Sequence, residues 1–129
     1  MQVVNIEDTF ELNLPGLHHR PLAGVSNGMT QGEVWLQTIA PGMSTPMHQH
    51  DCEEVVITLS GRGACVCGEE RIEFGPDSIL TLKANVAHQI INIGDTPLTG
   101  YGFFTMGPVI VEAPGGGHMP MPWDQPRAG

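Results

Sequence analysis

An all-β domain with few or no helices is what this sequence predicts, and three observations predict it. Glycine and proline, 17 and 11 residues, make up more than a fifth of the 129 and are scattered as punctuation. Between them stand short apolar runs of strand length, too brief for packed helices. Charged residues are only 15% of the chain, low for a disordered or strongly solvating one, and 40% are hydrophobic, which suits a packed core.

Met1 to Leu14 alternates weakly, with Val3, Val4, Ile6, Phe10 and Leu12 among acids, and Leu14-Pro15-Gly16 closes it with a turn. His18-His19-Arg20 follows; neighbours on a strand face opposite ways, so this reads as a solvated bend rather than a second metal or anion contact. Gly32 to Ala40 is a strand that ends at the Pro41-Gly42 turn. Its Trp35 is expected in the core, with pocket lining as the alternative. Met43 and Met47 flank the next segment, either as an adaptable apolar wall or as gap-fillers. Val55 to Leu59 is apolar on both faces, so something must cover Val55, Ile57 and Leu59: the leading segment, a second sheet or a partner subunit.

Ser60 to Gly63 is a turn, and Ala64 to Cys67 with Arg71 to Phe74 form a hairpin around Gly68-Glu69-Glu70. Gly75-Pro76-Asp77 turns the chain into a short strand, Ile79 to Leu82. His88 opens the next strand, with Ile90 and Asn92 on its face, and Gly94-Asp95 leads into Leu98 to Met106. Val109 to Val111 allows one more strand. Residues 113–129, rich in glycine and proline, are expected to run extended without regular structure. His118 and Trp123 there could fold over as a lid, or the tail could be loose.

The charge balance is acidic: 5 basic against 14 acidic residues, formally −9. Polyanions such as nucleic acid, and anionic membrane surfaces, would be repelled, so neither is expected as a partner. No apolar stretch approaches the roughly 18 residues of a bilayer span, and no basic-then-apolar leader is visible. A cytoplasmic location is the expectation. Cys52, Cys65 and Cys67 fit it as reduced thiols, since no second Cys or His pair completes a structural zinc set.

The stretch from Gly42 to Gly61, GMSTPMHQHDCEEVVITLSG, carries the chemistry. On a strand, His48, His50 and Glu54 share one face, and two imidazoles with one carboxylate suit a divalent metal. Glu53 faces the other way. Cys52 has the parity of the histidines, so a thiolate ligand is conceivable there. No G-x-S-x-G and no G-x-x-x-x-G-K occurs, which excludes the usual serine hydrolase and phosphate-cradling loops.

The spacing of Gly42, His48, His50, Glu54 and Gly61 resembles the first signature of the cupin superfamily at every fixed position. The second resembles Asp77-Ser78, Ile79 to Leu82, Lys83, Asn85, His88 and Asn92. It departs at Asp77, Lys83 and Asn85, where the family usually has Gly, Pro and Gly. Asp and Asn are the non-glycine residues that best tolerate positive φ, so two of those changes are mild. The two motifs span about forty per cent of the chain.

The resemblance implies a single cupin domain over 1–129: a double-stranded β-helix, or jelly-roll barrel, with its core at about 28–112. It implies that His48, His50, Glu54 and His88 hold one divalent metal, that Asn92 is structural, and that Cys52 has no ligand role. The leading segment would lie against the barrel or against a partner's. Imidazoles with a carboxylate accept Fe(II), Mn(II), Ni(II), Co(II), Cu(II) or Zn(II), with Fe(II) favoured here. Two open positions would take a chelating small-molecule substrate, or substrate with O2. An oxygen-dependent dioxygenase is the first expectation. A non-redox isomerase, cyclase or lyase, with Glu54 as a possible base, and a non-catalytic binding or sensing barrel are the alternatives. The two-faced apolarity of Val55 to Leu59 leads to an expected homodimer.

Overall fold

The computed structural model describes residues 1–119, and among them the regular structure is β-sheet with two single-turn 3-10 segments, Ile6–Asp8 and Val25–Asn27. Eleven strands follow in order: β1 Leu12–Leu14, β2 Leu17–Ala23, β3 Glu33–Ile39, β4 Gln49–His50, β5 Glu54–Ser60, β6 Gly63–Cys67, β7 Glu70–Phe74, β8 Ile79–Leu82, β9 Gln89–Asn92, β10 Leu98–Phe104 and β11 Val111–Glu112. All of their pairings are antiparallel.

One sheet runs β1-β2-β3-β10-β5-β8. The opposing layer is β7-β6-β9, and it continues through the bridges Ser44↔Ile91 and His48↔His88 into the β4 segment, which pairs with β11. These two curved layers are the jelly roll expected. Their facing side chains form two buried clusters. One holds Ile39, Cys65, Leu82, Ile90 and Leu98; the other holds Trp35, Cys52, Phe104, Val109 and Val111. The site lies where the clusters meet.

Turn chemistry explains much of the path. Asp77 and Asn85 both adopt φ 61°, so these two departures from glycine sit where the backbone is left-handed, a conformation their short polar side chains accept. The Asn85 N–H is tied to the carbonyl of His50 at 2.7 Å, which sets the turn beside the site. At Gly61, φ is 90° and a Cβ would stand 2.5 Å from the Pro97 carbonyl oxygen, so only glycine fits. Asn92, 1% exposed, donates to the carbonyls of Ile39 and Thr96, each at 2.8 Å, and accepts from Gly94 N–H at 2.9 Å. It therefore stitches the end of β9 to β3 and to the turn before β10.

Three expectations change. The bend at His18-His19-Arg20 is part of β2, paired along β3, and His19 is buried with 4% of its surface exposed. The run from His48 to Leu59 is not one strand: Asp51 to Glu53 break it, so β4 belongs to one layer and β5 to the other. The start of the tail turns back on itself instead of running extended. Met119 N–H reaches the Val111 carbonyl at 2.7 Å, Glu112 bridges His118, and Met119 packs on the Trp35 cluster. His118 is exposed; Trp123 lies outside the described residues.

The outer face of β5 is only partly covered. Val55 and Ile57 are half-buried, while Leu59 is 44% exposed where the register with β10 shifts by one residue.

Candidate metal centre

His48 and His88 are paired backbone to backbone, each N–H bonded to the other's carbonyl at 3.0 and 2.8 Å. His50 lies two residues on, opposite Val111. These contacts bring three imidazoles together, with one ligand atom from each within 4.8 Å of the others. The fourth expected donor comes from the facing layer: Glu54 Oε1 lies 3.7 Å from His50 Nε2 and 3.5 Å from His88 Nε2.

The other nitrogen of each ring is committed to the backbone. Nδ1 of His48 is 2.7 Å from the Pro46 carbonyl, that of His50 is 3.1 Å from Ile110, and that of His88 is 3.0 Å from Val86. Carbonyls only accept, so Nδ1 carries the proton in each ring and the Nε2 lone pair is free to coordinate. His50 Nε2, His88 Nε2 and Glu54 Oε1 are buried without a hydrogen-bond partner among the described residues. Buried polar atoms are rarely left so, and a divalent cation fits the vacancy in their bonding. Burial, the largest cause, lowers the pKa of His48 and of His50 to about 4, which keeps both rings neutral and ligand-ready at neutral pH.

The cavity beside these donors is lined by Trp35, Gln37, Ile39, Val56, Thr58 and Phe74 among others. The volume open to the centre of a water molecule is about 40 Å³, space for roughly three waters. Trp35, expected in the core, is both core and lining. Its ring is 4.3 Å from that of Phe104 and 5.8 Å from that of His50.

Cys52 is not a ligand candidate. It packs in the Trp35 cluster, and burial pushes its thiol up to about 11. Its apparent parity with the histidines disappears because the strand breaks at Asp51. Glu53 is exposed, away from the site. All three cysteines are free thiols.

His19 and Gln37 belong to this neighbourhood, and sequence reasoning did not find them. His19 packs its ring edge-on against Trp35, 4.5 Å between centroids, and the Gln37 amide nitrogen is 3.4 Å from His19 Nδ1. Burial lowers the His19 pKa to about 4, with the rings of His50 and His48 adding to the shift. The signal for His19 is its register opposite Gln37, a long-range pairing that no local pattern reveals.

Comparison with known proteins places this geometry. The family model described as auxin binding protein matches residues 3–98. Auxin-binding protein 1 of Arabidopsis thaliana is 42% identical over 108 residues, covering 74% of this chain and 54% of that protein. The chain spans about half the length of the curated relatives it matches. Among solved structures, the S161A mutant of Bacillus subtilis oxalate decarboxylase superposes with a TM-score of 0.77 at 17% identity, over 84% of this chain and 30% of that one. The polyketide cyclase RemF of Streptomyces resistomycificus gives 0.70 at 21% identity, covering 84% and 83%. At such identities the likeness is one of fold, and the fold is the cupin fold.

The cytoplasmic expectation does not stand, because the matched relatives are plant auxin-binding proteins, known as secreted or endoplasmic-reticulum proteins. Among the described residues no helix is long and apolar enough to cross a membrane, and that fact locates nothing. With 96 of its residues inside one family match and the three-histidine cluster of a cupin barrel, the chain belongs to the auxin-binding protein family.

Proposed function

We propose that this chain binds a small aromatic carboxylic acid, of the kind its relatives' name specifies, on a divalent metal held by His48, His50, His88 and Glu54. The space of about three waters beside the donors admits the carboxylate, and the ring requires the cavity to widen. One observation carries the reading over catalysis. In the described cavity lining the titratable side chains, His48, His50 and Glu54, are all donors to the ion, which favours holding a molecule there over moving a proton on it. A metal there supplies a Lewis-acid anchor for a carboxylate. The chain's own residues do the rest. The Nδ1–carbonyl bonds hold the imidazoles in one tautomer, Trp35 offers an aromatic wall, and Gln37 and Thr58 are the polar side chains near it. Oxalate decarboxylases of this fold are solved with Mn(II) centres, and a donor set of three imidazoles and a carboxylate admits Mn(II), Fe(II) or Zn(II), with Mn(II) held least tightly.

The test is calorimetry with indole-3-acetic acid and its methyl ester on metal-loaded and chelator-treated protein. Binding of the acid alone, and only with metal, is expected. Equal binding of acid and ester, or binding that survives chelation, would refute a metal-anchored carboxylate.

The dioxygenase reading rests on the three-nitrogen, one-oxygen donor set, which leaves room on an octahedral ion for substrate and O2. Oxygen uptake by iron-loaded protein with a diketone, a hydroxyketone and a catechol tests it; turnover that persists without oxygen would favour isomerase or lyase chemistry. For association we propose a two-fold homodimer through the outer face of β5 and β10. Leu59 is 44% and Phe103 38% exposed there. Sedimentation at micromolar concentration should then give twice 13.8 kDa, and a clean monomer would refute it.

A further inference from the structure

Glu33 stands outside the donor set and outside both sequence motifs, yet it is a carboxylate 7% exposed in the interior. Burying such a group is costly unless its oxygens are satisfied. Both are: Oε2 accepts from the Trp35 indole Nε1–H at 2.7 Å, and Oε1 accepts from the Val109 backbone N–H at 3.1 Å. Each contact leads to the metal centre by a different route. Trp35 lines the cavity and stands edge-on to His50. Val109 precedes Ile110, whose carbonyl accepts from His50 Nδ1–H.

The side chain is also caged. A Cβ on Gly24 would come within 2.8 Å of Glu33 Cγ, and one on Gly107 within 3.7 Å of it and 2.9 Å of the Gly32 carbonyl oxygen. The two segments that flank Glu33 thus approach it at glycine. A rigid carboxylate accepting two charge-assisted hydrogen bonds fixes the spacing between β3 and the chain entering β11.

We propose that Glu33 is a positioning residue for the ligand site, setting the Trp35 indole directly and the His50 ring through the Val109–Ile110 backbone. This rests on the metal reading above for its second half; the Trp35 half stands apart from it. Glu33→Gln is the informative change, since the amide keeps one oxygen acceptor but turns an NH2 toward the other N–H donor.

The experiment uses the full chain with Trp123→Phe, so that Trp35 is the sole indole. Two quantities are read: the Trp35 indole N–H resonance in metal-free protein, and Zn(II) affinity by chelator competition. Glu33→Gln should move the indole resonance upfield and weaken zinc about 10-fold, as loss of an outer-shell partner does. Gly24→Ala, which keeps the carboxylate but pushes it out of position, should shift both in the same direction. Exposed Glu53→Gln should change neither. If Glu33→Gln merely lowers the urea midpoint while the indole resonance and zinc affinity stay within error, the proposal is overturned. Should Glu33→Gln fail to fold, Gly24→Ala decides on the same two readouts. A parent protein that binds no zinc at all would sink the metal reading and the His50 half with it, while the indole shift alone still judges the Trp35 half.

Discussion

Replacing Asn92 with alanine removes three hydrogen bonds at once from a side chain that is 1% exposed. At a net value of about 1 kcal/mol each, the bonds alone amount to about 3 kcal/mol. The carbonyls of Ile39 and Thr96 and the Gly94 N–H then lose a partner in a place that water reaches poorly, so the expected total is about 3–4 kcal/mol. Asn92→Asp sharpens the test. The acid keeps an acceptor for Gly94 N–H but sets an anionic oxygen against two carbonyls that now sit 2.8 Å from a donor. It should cost more than alanine at pH 7 and recover in part at acid pH, where a protonated carboxyl can donate to one of them. Urea unfolding of the two variants measures both effects. Zinc affinity should be unchanged, because Asn92 lies four residues, roughly 13 Å of strand, beyond His88. An alanine variant that loses less than about 1 kcal/mol, or an Asp variant no worse than alanine at pH 7, would refute this account of the residue.

Other outcomes follow from the same geometry. His50→Ala and His88→Ala should each reduce bound metal sharply by elemental analysis, and Glu54→Ala less so; full occupancy in His88→Ala would remove the second motif from the site. Metal-free protein should lose stability on acidification. Burial holds His19, His48 and His50 near pKa 4, below the unfolded 6.5, so between pH 6.5 and 4 the unfolded chain takes up protons that the native one refuses. The contribution is complete above pH 6.5, at most about 3 kcal/mol per ring, and the three overlap because the rings repel one another. Urea midpoints in chelator that stay flat down to pH 4.5 would contradict it. At Asn85, with φ 61°, glycine should be tolerated, whereas valine should cost about 1–2 kcal/mol by thermal melts.

What could be read from the sequence was what local spacing encodes. The histidines sit at intervals that identify them, and the aspartate and asparagine standing in for glycine at 77 and 85 announce left-handed turns. The resemblance to the cupin signature implied that Asn92 is structural. What could not be read depends on pairing across the chain. Beside His18 and Arg20, His19 reads as solvated until β2 is laid along β3, where it falls opposite Gln37. Glu33 looks like an ordinary acid at a strand start until Val109, 76 residues later, donates to it. The even spacing from His48 to Glu54 pointed to convergence on the assumption of one strand. Their side chains do approach, but across two layers, because the chain leaves one sheet at Asp51 and enters the other at Glu54. The glycine run at 115–117 suggested slack, yet it makes the bend that returns Met119 to Val111.

That division of donors has a mechanical consequence. Three nitrogens ride on one wall of the barrel and a single oxygen on the opposite wall, so a cation bound by all four would brace the walls against each other at that point. Beside the donors the walls are also held by apolar contact among Ile39, Cys65, Leu82, Ile90 and Leu98. The spacing of the walls at the donors would then depend on whether the cation is bound. Widening that spacing would stretch the Glu54 contact first, since it is the donor on the opposite wall, while the histidine triplet moves as a body with its own sheet. Amide exchange near Glu54 should therefore quicken on chelation more than exchange near Ile90, and ligand entry and metal exchange become two readings of the same hinge-like opening.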